Sequence, residues 1–202
     1  MGGEIWNMKD KILFFKPSDS TFIMKDQAFL TEHYHTIPYL FKQGKNLSLV
    51  IEFIKQIIFI LKHISKCESL FIWFSDYHSF LPTLIGNIYN KKVMIVLGGA
   101  DTTYIREYQY GVFSNILRSF CAKKSIEFAT YLLPVDISLI KRLTRHIQNI
   151  KTKVKVVPTG YNPENWYCDT IKKNQAITVA KYSTWNRLMI KGIDRVLKIA
   201  KT

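Results

Sequence analysis

The chain has 202 residues, of which 48% are hydrophobic and 14% aromatic, and its formal net charge is +14. This length suffices for one complete hydrophobic core and the remnant of a second. Its 3 cysteines are widely spaced and odd in number, which argues against a disulfide framework or a zinc cluster and indicates a reducing compartment. The opening stretch M-G-G-E-I-W-N-M-K-D-K contains no apolar h-region, so no secretory signal is predicted.

The positive charge is concentrated toward the C-terminus. Residues 141–202 contain 14 Lys/Arg against 3 Asp/Glu, a net charge of +11. Such an excess suits phosphate groups, an anionic membrane or an acidic partner. For any single lysine, ordinary solvation is the simpler interpretation.

Five apolar runs predict β-strands, and the first two are expected to be buried. Each is followed by a helical pattern or a loop, which predicts an α/β fold with a doubly wound parallel sheet. The runs are 12–15, 70–74, 93–97, 131–133 and 154–157.

A second αβ unit is predicted near the C-terminus. The last of the five strands stops at Pro158, and Gly160 then permits a turn that is closed to other residues. The range 177–180 is predicted to form a new strand and 190–200 a helix. The expected organisation is a Rossmann-like domain over 9–162, a linker over 163–176 and an incomplete αβ unit over 177–202.

A long helix is predicted over 46–65. Charged residues interrupt its apolar run, so the segment is too short to span a membrane. We expect an apolar stripe of this helix to pack on the sheet. The stripe recurs at spacings of three and four, at Val50, Ile54, Ile57, Leu61 and Ile64.

Ligand crevices in open parallel sheets lie beyond the carboxyl ends of the strands. Polar residues follow the first two predicted strands, and for both groups helix capping or another structural role is the alternative. These candidate crevice residues are Ser18, Asp19, Asp76, Tyr77 and His78.

A G-G-A-D-T-T loop follows the predicted strand at 93–97. Gly98 and Gly99 allow the backbone to approach a ligand closely, and Asp101 is suited to binding sugar hydroxyls. A tight turn capped by Asp101 or Thr102 is the alternative. The loop departs from G-x-G-x-x-G, so it is not a dinucleotide-binding fingerprint.

Four stretches resemble the N-terminal half of GT-B glycosyltransferases of the family-4 (group 1) type. F-I-M-K-D-Q-A-F-L-T-E-H-Y resembles that family's first helix, and G-G-A-D resembles a loop of some members. V-V-P-T-G-Y-N resembles the hinge after the last N-domain strand, and I-T-V-A-K-Y followed by K-G-I-D resembles the opening of the donor domain. In this family an acceptor-binding and a nucleotide-sugar-binding Rossmann-like domain face each other across a cleft.

The resemblance implies a donor phosphate site made of cations. Lys191, just before Gly192, matches the family's lysine, although an ordinary first-turn lysine is the alternative. Lys181 stands where arginine is usual, and Arg187 is a candidate substitute. Because fixed cations stabilise the negative charge that builds on the leaving phosphate, no metal or other cofactor is expected.

The predicted function is transfer of a sugar from a nucleotide-sugar to a glycan or lipid-linked acceptor. His78 and Asp101 are predicted to be catalytic and to orient the acceptor hydroxyl. The sequence departs from the family where K-P-S-D-S replaces the Gly-rich loop after the first strand. The remainder of the donor domain has no counterpart in these residues, so we expect the isolated chain to be an inactive fragment.

The alternative is a non-catalytic Rossmann-like module that docks on an anionic membrane or an acidic partner through the basic C-terminal segment. Nucleic-acid binding is not expected, because the aromatic residues lie within apolar runs and do not alternate with lysines. The expected location is cytoplasmic, either free or at the inner face of the membrane.

Overall fold

A six-stranded sheet forms the centre of the fold in the computed structural model, which describes residues 10–44, 47–160, 163–165, 177–179 and 184–200. The strands are β1 Lys11–Lys16, β2 His35–Leu40, β3 Ser69–Trp73, β4 Lys92–Leu97, β5 Tyr131–Pro134 and β6 Lys153–Val154. Their order across the sheet is β2-β1-β3-β4-β5-β6. Every neighbouring pair is parallel. The strand predicted over 154–157 is shorter and more exposed than expected: β6 ends at Val154, and Val156 and Val157 are 39% and 43% exposed.

Helices connect the strands and cover both faces of the sheet. They are α1 Thr21–His33, α2 Leu47–His63, α3 Tyr77–Ile88, α4 Ile116–Phe128 and α5 Ser138–Leu143. Parallel strands need such crossover connections, and helices on both faces explain why the central strands are apolar throughout. The fold is therefore α/β, with a doubly wound Rossmann-like sheet, as the sequence predicts.

Two hydrophobic cores form because successive side chains of a strand point to opposite faces. In β1, Leu13 and Phe15 belong to the larger core, which also contains residues of α2, α4 and α5. Phe14 belongs to the smaller core, where it joins Ile23 of α1. Thus α1 covers one face of the sheet, and the later helices cover the other.

The edge strand β2 is absent from the predicted elements. Its sequence H-T-I-P-Y-L contains only half-buried and exposed residues. Pro38 lies opposite Phe14 of β1 and has no N–H to donate to a ladder. The strand therefore lacks the continuous apolar run by which the buried strands are recognised.

The predicted orientation of the long helix is confirmed only in part. Of the predicted stripe, Ile64 lies in the core at 1% exposure and Ile57 is half-buried. Val50, Ile54 and Leu61, which are expected to pack on the sheet, are 53%, 52% and 52% exposed. The buried residues of α2 are instead Glu52, Gln56 and Ile60. α2 therefore turns a different face toward the core, and the inward face carries two polar side chains.

Hydrogen bonds explain why these polar side chains face inward. Glu52 accepts from the Tyr39 hydroxyl at 3.0 Å and from the Lys42 backbone N–H at 3.1 Å. Gln56 donates from Nε2 to the carbonyl of His78 at 2.8 Å. Because α2 is apolar on almost every side, these polar contacts, rather than its apolar spacing, distinguish the inward face.

The described residues divide into two units. The first contains the sheet and extends to Thr159, apart from Arg106–Tyr108. The second comprises Arg106–Tyr108 and the described residues from Gly160 onward. Most of the predicted linker over 163–176 lies outside the described residues.

The second unit contains two short helices, α6 Trp185–Ile190 and α7 Ile193–Ile199. α7 confirms most of the helix predicted over 190–200, which begins later than expected because Gly192 adopts a left-handed φ of +71°. α6 was not predicted. The strand predicted over 177–180 is not formed at 177–179, which have no regular structure.

Two isoleucines that lie two positions apart can test which face of α2 points to the core. Ile60 is fully buried, whereas Ile58 is 62% exposed. We expect Ile60→Ala to lower the free energy of unfolding by about 2–4 kcal/mol through lost burial and a cavity. Ile58→Ala should change it by less than about 0.5 kcal/mol. Urea unfolding of both variants measures the difference, and equal losses would contradict the observed face.

Candidate functional site

The turn after β3 is the strained point of the carboxyl edge of the sheet. Phe74 has a φ of +68°, a left-handed conformation that is rare for a bulky residue. Its N–H donates to the carbonyl of Val96 in β4 at 2.9 Å. A Cβ on Gly98 would collide with the Phe74 ring, so this glycine is needed for the close approach of the two strand ends. Such strain clusters at functional sites.

Asp101 ties the ends of β3 and β4 together. Its carboxylate accepts from the backbone N–H groups of Ser75 at 3.2 Å, Gly98 at 3.1 Å and Gly99 at 2.8 Å. The side chain is 1% exposed. Burial raises the pKa of Asp101 to about 6, although the N–H donors oppose this shift. In this conformation Asp101 holds the G-G-A-D loop and offers no oxygen to solvent.

His78 is likewise enclosed. It lies in the first turn of α3 and is 1% exposed. Its Nε2 donates to the carbonyl of Trp73 at 2.6 Å. Burial lowers the pKa of His78, so the ring is neutral at pH 7. The catalytic roles of His78 and Asp101 stay predictions, and contact with an acceptor would require both side chains to become accessible.

Asp76 joins α3 to α4. One carboxylate oxygen accepts from the Tyr77 N–H at 2.8 Å and begins α3 in a capping box with Ser79. The same carboxylate receives a two-point contact from Arg118, with Nε–Oδ1 at 3.0 Å and Nη2–Oδ2 at 2.5 Å. This contact raises the pKa of the guanidinium, which stays charged. The Arg118 side chain is 34% exposed and so keeps a face toward solvent.

A cavity of about 550 Å³ opens beside this ion pair. We call it the Asp76 cleft. Its polar wall consists of Asp76, Tyr77, Asn115 and Arg118, and its apolar wall of Leu49, Val50 and Leu117, with Gln43 and Gly44 at one end. Hydroxyl, amide and guanidinium groups next to apolar side chains are suited to a ligand that is rich in hydroxyls.

A larger cavity of about 760 Å³ lies at the amino ends of the strands, opposite the carboxyl ends where the Asp76 cleft lies. It is bounded by the end of α4 and by residues 145–152, which precede β6. Ligand sites in open parallel sheets lie at the carboxyl edge. The Asp76 cleft at that edge is therefore the better candidate, although it is smaller.

The candidate residues after β1 form a separate cluster. Asp19 pairs with Lys16 at 2.7 Å, and Lys16 also donates to Gln27 of α1 at 2.6 Å. The Ser18 hydroxyl lies 3.1 Å from that of Ser20. Asp19 and Ser18 are exposed, and neither lines the Asp76 cleft. The structure thus brings together Asp76 and Tyr77 but does not add Ser18 and Asp19 to them.

Two of the three predicted phosphate-binding cations lie on α6 or at its end. Arg187 and Lys191 are exposed and one helical turn apart, so they lie on the same side of the helix. Thr184 caps α6 by accepting from the Arg187 N–H at 3.3 Å. Lys181, the third cation, lies outside the described residues.

Among the residues that the structure describes, no group of three or more His, Cys, Asp or Glu side chains is arranged to hold a metal ion. No protein-family model matches the chain, and no curated protein is significantly similar to it. Inferences about function therefore depend on the geometry at the carboxyl ends of the strands and on the four stretches of sequence that resemble a known family.

Arg118 and Asn115 were not among the predicted site residues. Arg118 is 42 positions from Asp76 in the sequence. Asn115 begins α4 by accepting from the Arg118 N–H at 3.0 Å. The asparagine before a helical pattern is a recognisable capping signal, but its position beside Asp76 depends on how α4 packs on α3.

A double-mutant cycle tests the coupling between Asp76 and Arg118. Arg118→Met should lower the free energy of unfolding by about 1.5–3 kcal/mol, because it leaves a buried carboxylate without its charged donor. Asp76→Asn retains a helix-capping oxygen. The double variant should therefore be more stable than the sum of the two single losses predicts. Additive losses in urea unfolding would contradict the coupling.

The buried carboxylate of Asp101 predicts a pH dependence of stability. Its folded pKa of about 6 exceeds the ordinary value of 3.8. The folded protein therefore holds a proton that the unfolded chain releases, and the stabilisation from Asp101 is lost as pH rises through that interval. As the pH rises from 3.8 to about 6, the free energy of unfolding of the wild type should fall relative to that of Asp101→Asn.

Asp136→Asn is the control for this experiment. Asp136 is exposed, and its hydrogen bonds to Ser138 lower its pKa. Its stabilisation is present at neutral pH and is lost on acidification, so the difference should shift in the opposite direction. Thermal unfolding over a pH series measures both, and a pH-independent difference for Asp101→Asn would contradict the raised pKa.

Proposed function

We propose that the sheet-containing unit binds the acceptor of a glycosyltransferase of the GT-B type, which transfers a sugar from a nucleotide-sugar to a glycan or lipid-linked acceptor. The observation that carries the proposal is the Asp76 cleft, which lies at the carboxyl edge of a Rossmann-like sheet. Four stretches of sequence that resemble the family support it. The fold alone is compatible with many other activities.

The groups of the cleft suit an acceptor hydroxyl. Tyr77 and Asn115 lie within 3.4 Å of each other through their polar atoms and can both donate and accept hydrogen bonds. The exposed side of Arg118 supplies charged donors. The proposal assigns acceptor positioning to these three residues, while His78 and Asp101 hold the shape of the edge around them.

The reaction that this assignment implies is a displacement at the anomeric carbon. The acceptor oxygen forms a bond to that carbon, the bond to the diphosphate oxygen breaks, and the acceptor proton is released. Negative charge builds on the leaving diphosphate, and the proposed contacts to it come from Arg187, Lys191 and Lys181. No metal is needed for this charge stabilisation, in keeping with the resembled family.

The proposal predicts separate binding of sugars and nucleotides. Methyl hexosides should shift the amide NMR signals of Tyr77, Asn115 and Arg118, whereas UDP or GDP should shift those of Arg187 and Lys191. Tyr77→Phe combined with Arg118→Lys should weaken hexoside binding by about tenfold or more, because a hydroxyl and the guanidinium fork are lost.

The matched control is Tyr89→Phe combined with Arg145→Lys, which makes the same changes at exposed positions outside the cleft. This control should bind hexosides as the wild type does. Nucleotide competing with hexoside for the cleft would contradict the acceptor assignment. Equal weakening by the control pair would show that the cleft is not the binding site.

A further inference from the structure

The outward face of α2 is an apolar ridge. Six large apolar side chains of this helix are between 43% and 70% exposed. They recur at helical spacing from Leu47 to Leu61, which corresponds to a ridge about 21 Å long. The α2 ridge consists of Leu47, Val50, Ile51, Ile54, Ile58 and Leu61. Contiguous apolar surface of this extent marks an interaction site in a water-soluble domain.

The charges on this face are positive. Lys55 is one turn from Ile51, and Lys62 is one turn from Ile58, so exposed lysines flank one side of the ridge. Glu52, the sole acidic residue of α2, is buried and hydrogen-bonded on the opposite side. The outward face of α2 therefore combines apolar side chains with cations and presents no carboxylate of its own.

The field at the C-terminal end of α2 is also positive. Burial lowers the pKa of His63, and repulsion from Lys62, Lys66 and Lys11 lowers it further. Lys66 follows α2 in a short 3-10 turn and is exposed. The cations thus continue beyond the end of the ridge. Lysines with apolar stems and charged ends are suited to the boundary between lipid headgroups and acyl chains.

The ridge is continuous with the Asp76 cleft. Val50 belongs to the ridge and also lines the cleft, where Leu117 of α4 forms part of the same apolar wall. Ile116 and Phe120 near the start of α4 are 91% and 50% exposed. A surface that contacts the ridge would therefore lie beside the mouth of the cleft.

An anionic membrane fits this face better than a second copy of the chain. In a twofold dimer the same patch of both copies is buried, so Lys55 and Lys62 of both copies would enter one interface. No carboxylate on the outward face of α2 would neutralise them. Anionic lipid headgroups supply the opposite charge, and the acyl region accepts the apolar side chains.

We propose that the α2 ridge lies in the surface of an anionic lipid bilayer, with Lys55 and Lys62 at the headgroups and the mouth of the Asp76 cleft at the membrane. The helix lies in the plane of the interface. Among the described helices, none is long and apolar enough to cross a membrane. This docking does not depend on the sugar chemistry proposed above, and it assigns membrane contact to α2 rather than to the basic segment 141–202.

Vesicle binding tests the proposal. The full 202-residue chain should co-sediment with phosphatidylcholine vesicles that contain phosphatidylserine, and much less with phosphatidylcholine alone. Ile54→Ser combined with Ile58→Ser should weaken binding by at least about tenfold, because two exposed apolar contacts are lost. Lys55→Glu combined with Lys62→Glu should weaken it by a similar factor, and the wild-type interaction should decrease as salt increases.

Two control pairs identify the surface. Ile88→Ser combined with Ile137→Ser removes exposed isoleucines outside α2 and should leave binding unchanged. Lys141→Glu combined with Lys151→Glu changes the charge of the basic segment and should weaken binding much less than the α2 lysine pair. All four pairs alter exposed positions, and equal thermal unfolding midpoints would confirm that they fold.

Three outcomes would overturn the proposal. The first is no binding of the wild type to the phosphatidylserine vesicles at low salt. The second is full binding by the Ile54→Ser and Ile58→Ser pair, which would place the contact elsewhere. The third is a lipid-independent oligomer in sedimentation velocity that this same pair abolishes, which would identify the ridge as an interface between copies. Because the chain contains 4 tryptophans, a blue shift of fluorescence on vesicles that is larger in Ile58→Trp than in the wild type would support insertion.

Discussion

The carboxylate of Asp101 is the constraint on which the carboxyl edge of the sheet depends. It accepts from backbone N–H groups at the ends of both β3 and β4. The Ser75 N–H would otherwise be buried without a partner, which is costly. Because Asp101 fixes Ser75, it also fixes the position from which Asp76 starts α3. A buried acid thus determines where the neighbouring, more accessible acid lies.

Shape and recognition are divided between different residues at this edge. Phe74, Gly98 and Asp101 define the path of the backbone, and their side chains or close contacts leave little freedom there. Tyr77 and Arg118 keep part of their surface toward the cleft. A rigid backbone beneath half-exposed polar groups is the arrangement that orients a ligand with the least loss of entropy.

The sequence was sufficient for the buried strands, because a short continuous apolar run such as the one in β1 is typical of a strand that is covered on both faces. It was insufficient for β2, whose proline and partial exposure are properties of an edge. It also misled in α2, where apolar residues occupy nearly the whole circumference. There the inward face is distinguished by hydrogen bonds from Tyr39 and Lys42 to Glu52, which apolar spacing does not encode.

The candidate site was predictable in part, because the buried strands that precede it can be recognised in the sequence. Asp76 and Tyr77 follow a recognisable strand, so their place at the carboxyl edge follows from topology. Arg118 comes from a helix that looks ordinary in sequence, and its contact with Asp76 spans 42 positions. The burial of His78 and Asp101 depends on how neighbouring loops close over them. Strand ends can therefore be located from sequence, but the exposure of each side chain there cannot.

The two edge strands of the sheet, β2 and β6, bear on how the protein avoids self-association. An edge strand presents unpaired backbone groups that can template cross-chain pairing and fibril growth. At one end β2 includes Pro38, which lacks a donor, and at the other β6 has only 2 residues. An interrupted edge and a very short one both disfavour extension of the sheet by another chain. The edge strands of this domain therefore disfavour β-aggregation, although the domain also exposes an apolar helix.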